Sequence, residues 1–145
     1  MTCTFFGHRV VTTDVKTRLR TVITDLIVHH AADVFYVGNQ GNFDEIVLEV
    51  LRELQAVYPI VYAVVLAYLP VGKGGNGAQD CPDTIYPEGL ETVPKRFAVC
   101  YRNRWMIERS DYVVTYVTHQ RGSGAARYQS LAERRGKKVI SLGDA

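Results

Sequence analysis

Apolar residues along this chain switch between a strand rhythm and a helix rhythm. Residues 2–6 (TCTFF) make a short β-prone run closed by Gly7, and Thr12 or Thr13 can then cap a helix running towards His30. Within that helix Leu19, Val22, Ile23, Leu26 and Ile27 recur at three- and four-residue spacing, with Lys16, Arg18 and Arg20 on the opposite face. One stripe is therefore set against a sheet. Residues 33–37 (DVFYV) form a second buried-strand candidate, closed by the glycine-rich turn GNQGNFD at 38–44. A second helix follows, with Ile46, Val47, Val50, Leu51, Leu54 and Val57 at helical spacing and Pro59 ending it near Tyr58. Residues 60–69 (IVYAVVLAYL) are nearly all apolar or β-branched, as a central strand covered on both faces requires.

Residues 70–95 break this rhythm with five of the twelve glycines and four of the five prolines. They predict a long loop, of the kind that serves as a lid or binding loop. Beyond it, 97–109 reads as a helix, 111–117 (DYVVTYV) as a strand, 124–135 as a helix and 138–142 (KVISL) as a last strand. Strands alternating with helices imply right-handed βαβ units. The expected fold is α/β, a Rossmann-like three-layer sandwich with a mainly parallel sheet of about five strands.

A length of 145 residues fits one domain, and 47% hydrophobic content with 22% charge excludes a disordered chain. Seventeen Lys and Arg against fifteen Asp and Glu leave a formal +2, too near balance for a nucleic-acid arm or a polybasic membrane patch. No apolar run approaches a membrane span, and no basic stretch precedes an apolar segment at the N-terminus, so a soluble protein of the cytosol is expected. Cys3, Cys81 and Cys100 lack CxxC spacing, which argues against a disulfide framework and a zinc site and favours buried thiols.

Ligands of open α/β sheets bind beyond the carboxyl ends of strands, where strand order reverses. Three turns qualify: Gly7, His8 and Arg9 after the first strand, GNQGNFD after the second, and THQRGSGAA at 118–126. Two of them are glycine-rich and open helices, whose N-terminal amides favour an anion such as phosphate. Neither matches a standard nucleotide fingerprint. GHRV stands where GxGxxG would, so a nicotinamide cofactor is not expected, and in VGKGGNG at 71–77 no Ser or Thr follows Lys73, so it is not a Walker A loop. No cofactor is expected.

The order of GHR, GNQGNFD, RNRWMIERSDYVV at 102–114, GSGAA and a closing GKKVISL resembles the SLOG superfamily. That Rossmannoid group contains the LOG phosphoribohydrolases and the DNA-processing protein A fold. The resemblance covers most of the chain and extends to the small standalone bacterial members. It implies a nucleotide or nucleotide-derived ligand, held here by Gly7 and Arg9, by Gly38, Gly41 and Asp44, and by Gly122, Ser123 and Gly124. The Arg102 and Asn103 pair also matches a family motif. Enzymatic LOG proteins carry PGGxGTxxE, whose Glu helps break an N-glycosidic bond. Here that segment reads QRGSGAARYQ, and Tyr128 stands in place of the Glu.

Several residues carry two readings. Asp44 lies in the first turn of the second helix, either as a favourable anion at a helix N-terminus or as a bond to a ribose hydroxyl or a general base, with Glu45 the neighbouring alternative. Arg9 can fork onto phosphate or make a surface ion pair, and His8 can be an acid/base group or a structural hydrogen bond. Asn39 and Asn42 of the second turn are further candidate ligand-binding residues. Arg102 and Arg104 point about 200° apart on a helix, so at most one reaches the site. Tyr101 and Trp105 read as core packing, and His29 and His30 close the first helix without further metal ligands. No metal site is expected.

The leading expectation is binding of a nucleotide or nucleotide-derived small molecule, as a sensor or processing component. The alternative is an N-glycosidic bond hydrolase acting on nucleoside monophosphates, with Asp44 or Glu45 as the catalytic carboxylate. Nucleic-acid binding is disfavoured by the charge balance. A homodimer is expected, because SLOG-like proteins commonly pair and Tyr86, Leu90 and Phe97 are apolar residues in or beside the long loop.

Overall fold

The computed structural model describes residues 1–7, 14–39, 41–68, 83–117 and 124–142. Strand β1 (Thr2–Gly7) is followed by helix α1 (Val15–His30), β2 (Val34–Val37), α2 (Asn42–Gln55) and β3 (Val61–Val65). Next come β4 (Asp83–Ile85), α3 (Ala98–Glu108), β5 (Tyr112–Tyr116), α4 (Gly124–Arg134) and β6 (Lys138–Ser141). The strands form a parallel sheet in the order β4-β3-β2-β1-β5-β6. The expected Rossmann-like architecture is therefore present, with six strands among the described residues rather than five.

The additional strand lies inside the segment expected to be one long loop. Only three residues long, it pairs Ala63 with Asp83, Val64 with Thr84 and Val65 with Ile85, and two 3-10 turns at Leu90–Thr92 and Lys95–Phe97 follow it. So short an edge strand exists through pairing with β3, which local pattern does not display. In exchange β3 ends at Val65 rather than at residue 69, after which the Leu66 amide donates to the Ile85 carbonyl at 2.8 Å.

Helices cover both faces. On one, α1 and α2 bury Leu19, Ile23 and Leu26 together with Val47, Val50 and Leu51 against Cys3, Phe5, Phe35 and Val114 of the sheet. On the other, Met106 and Ile107 of α3 and Tyr128 and Ala132 of α4 pack on Phe6, Val65 and Val113. Alternation along β1 makes this possible: Cys3 and Phe5 point to one layer and Phe6 to the other. Each fully buried Leu, Ile or Phe contributes about 1.5–3 kcal/mol by leaving water, so the two stripes supply most of the driving force. Val57, expected on the α2 stripe, lies past the helix end and is 71% exposed.

Between the two ends of the second turn the core sets one strict condition. A methyl on Gly7 would lie 2.4 Å from Cγ and Cδ2 of Phe43, whose ring also stacks on Tyr116 with centroids 6.0 Å apart. Glycine at the end of β1 is thus what lets α2 seat its first turn over the sheet. Gly7→Ala is expected to destabilise the fold by about 1–3 kcal/mol through overpacking. Urea or thermal unfolding measures it, and Phe43→Leu in the same chain should recover part of the loss.

Candidate functional site

The chain steps from β1 outward through β2, β3 and β4, then returns to place β5 on the other side of β1. Strand order therefore reverses between β1 and β5, the position where open parallel sheets hold ligands beyond their carboxyl ends. The turn that opens α2 lies on this edge. Gly41 precedes the helix with φ of 119°, a region that L side chains rarely adopt, and its carbonyl accepts the Glu45 amide at 3.2 Å. Asp44 and Glu45 both fall in the first turn of α2 and divide there: Glu45 is exposed, whereas Asp44 is half-buried and faces Gly38.

What Asp44 meets at Gly38 is Arg102. A methyl built on Gly38 would lie 3.1 Å from Asp44 Oδ2 and 3.1 Å from Arg102 Nη1, so both charges close on one point of the backbone. Arg102 belongs to α3, on the opposite layer from α2, and only 2% of it is exposed. Its Nη1 donates to the Val65 carbonyl at the end of β3 (2.9 Å) and, at a long 3.4 Å, to Asn39 Oδ1; its Nε donates to Asn103 Oδ1 (2.7 Å). Burial pushes the guanidinium below its ordinary range, while the negative charge of Asp44, and after it the phenols of Tyr128 and Tyr68, push it back. Arg104, by contrast, is exposed, as the opposed directions of the two arginines require.

The polar chain continues into the α4 layer. Tyr128 hydrogen-bonds Cys100 and Asn103, and its ring stacks on Phe6 with centroids 5.4 Å apart. Burial, reinforced by Cys100, pushes the Tyr128 phenol up to about 12, so it stays a neutral hydroxyl at physiological pH. Cys3 is fully buried, and burial pushes its thiol up as well, which makes it unreactive.

The structure thus brings together Gly38, Asn39, Asp44, Arg102 and Asn103, with Gly41 and Asn42 in the same turn and Gly7 beneath Phe43. It sets Glu45 apart, in solvent. Gly124 begins α4. His8, Arg9, Gly122 and Ser123, together with the 71–77 segment and Cys81, lie outside the described residues. Three contributors escaped the sequence reading: the Val65 carbonyl, and the rings of Phe43 and Tyr116. Phe43 stands inside GNQGNFD, but nothing local tells a turn aromatic from a core one. The pair Tyr101 and Trp105 divides as well: Trp105 packs on Tyr36 with centroids 5.2 Å apart, while the Tyr101 hydroxyl donates to the Glu88 carbonyl at 2.8 Å.

No family model and no curated protein matches the sequence. Among solved structures, DNA processing protein A (DprA) from Streptococcus pneumoniae superposes with a TM-score of 0.71, over 99% of this chain and 50% of that one, at 16% identity. The fold resembles that of DprA. The chain spans about half the length of that protein, and at this identity the likeness is one of fold. No helix of the described residues is long and apolar enough to cross a membrane.

Removing the guanidinium leaves Asp44 and Val65 O without their buried counterpart. Arg102→Ala is expected to cost about 3 kcal/mol in urea unfolding, the range for breaking a buried pair from one side. Adding Asp44→Asn should cost less in that background than in the native chain, by about 1 kcal/mol. Additive losses would show that Asp44 is not the partner charge.

Proposed function

We propose that the protein binds a nucleotide or nucleotide-derived small molecule at the carboxyl edge of its sheet, as a member of the SLOG superfamily. The observation that carries this reading is the buried Arg102 holding Asp44 and the Gly38 turn in place beside the β1/β5 switch point. A guanidinium withdrawn from water costs several kcal/mol unless it is paired, and here it braces a turn whose helix points its amide end at the edge. In doubly wound sheets a carboxylate beyond the second strand accepts ribose hydroxyls. Asp44 has that place in the chain. Phosphate falls to the turns after β1 and β5, through Arg9, Gly122 and Ser123, assigned by their positions in the sequence.

Binding is favoured over N-glycosidic hydrolysis by Tyr128, a buried neutral phenol where the resemblance calls for a carboxylate. A nucleotide-sized ligand is favoured over a DNA duplex by the formal +2 charge. DprA is named for processing DNA, but the likeness to it is one of fold. The assembly reading is a homodimer through the Phe97 face. Leu90 is only 2% exposed within this one chain, while Phe97 keeps 49% of its surface open.

Titrating the folded protein with nucleoside phosphates and ADP-ribose derivatives tests the binding reading. A true ligand at a hundredfold over its Kd should raise stability by about 2.7 kcal/mol, and Asp44→Asn should weaken it. A flat thermal and calorimetric response across that panel would overturn the reading. Light scattering at micromolar concentration should give twice the 16.3 kDa chain mass, reduced by Phe97→Ala. A monomeric mass for the native protein rejects the dimer.

A further inference from the structure

Beyond the carboxyl ends of β3 and β4 lies a groove of about 750 Å³. Its size falls within the range of small-molecule sites. Three buried residues, Ala67, Leu90 and Ala98, form a small cluster at its base, each no more than 3% exposed. Two of the three end in a single methyl, so the base is apolar and its side chains are short. Tyr68 and Tyr86 line it, and Tyr68 is anchored by donating its hydroxyl to the Lys95 carbonyl at 3.2 Å while keeping 43% of its surface open. An exposed tyrosine held from its far end presents its ring to whatever enters.

Charge at the rim is lopsided. Lys95 and Arg96 both line the groove and are exposed, against the single carboxylate of Glu91. Arg96 also lies over the neighbouring Phe97 ring at 4.9 Å, a contact that narrows the range of its guanidinium. An apolar base, tyrosine flanks and two neighbouring cations at the mouth are complementary to one kind of molecule. A purely aliphatic ligand would leave the cations unused, and a small inorganic anion would leave the rings unused.

We propose that this groove is a second small-molecule site, which takes a planar aromatic anion with its ring on the Ala67 and Ala98 base and its charge at Lys95 and Arg96. The inference goes beyond the nucleotide reading, since none of Gly38, Asp44 or Arg102 lines the groove. Two sources share this chemistry: a nucleoside monophosphate and an aromatic carboxylate.

Amide chemical shifts of the full chain, followed by NMR during titration with AMP and separately with indole-3-carboxylate, test it. Saturable shifts at Ala67, Leu90 and Ala98 are expected with at least one probe, and the probe that acts identifies the source. Shifts confined to Gly38, Gly41 and Asn42 would overturn the groove while leaving the nucleotide site standing. Shifts nowhere would overturn the groove with both probes. A folded Lys95→Glu, Arg96→Glu double variant should bind the active probe about tenfold or more weakly, because charge-assisted contacts are worth at least one such factor. Adenosine, which has the ring without the charge, should not distinguish the variant from the native chain. Unchanged affinity for the anion in the double variant would also sink the proposal.

Discussion

The buried guanidinium of Arg102 is the interaction on which the carboxyl edge of the sheet depends. It leaves the α3 layer, reaches past the end of β3 to the Val65 carbonyl, and arrives at Gly38 opposite the Asp44 carboxylate of the other layer. A sheet of parallel strands keeps its layers apart, so few side chains can join them except at its ends. Arg102 does so where β2 and β3 finish. Because a charge this deep is tolerated only when its hydrogen bonds are made, any displacement of the Gly38 turn leaves a buried donor unpaired. The turn is stiffened by electrostatic need, while its glycines permit the path its backbone takes.

Those glycines are required for different reasons. Gly7 is small because Phe43 occupies the volume of a side chain, Gly38 because Arg102 and Asp44 crowd it, and Gly41 because its φ of 119° disfavours any Cβ. Asp44 gains its direction from this crowding. It combines a place in the first turn of a helix, a half-buried environment and a cation behind it. Tyr128 completes the same logic from the α4 side: neutral, stacked on Phe6, it spends its hydroxyl within the protein.

The likeness to DprA is informative because identity is so low. At 16% the two chains share few side chains, yet the backbones superpose over nearly the whole of this chain. What is common is the pattern of buried faces, which many residues can satisfy. The polar edge is where such folds differ, since function is carried by sites placed on a shared frame.

Sequence alone determined the frame. Periods of two and of 3.6 place β1, α1, β2, α2, α3, β5, α4 and β6 within a few residues of their observed bounds, because each element must bury one stripe and that stripe is written locally. Turn chemistry likewise marked 38–44 as special, and helix geometry separated Arg102 from Arg104. Tertiary structure decided the rest. Strand β4 was hidden in 70–95 because three residues form a strand only when β3 offers its edge. Asp44 and Glu45 are neighbours with equal claims in sequence, and only the arrival of Arg102, fifty-odd residues on, buries one and leaves the other in water. Leu90 looked uncovered along the chain and is covered by Ala67 and Ala98. Local pattern records which face of an element is buried. Which charge, ring or strand meets it there depends on contacts between distant segments, which no local period encodes.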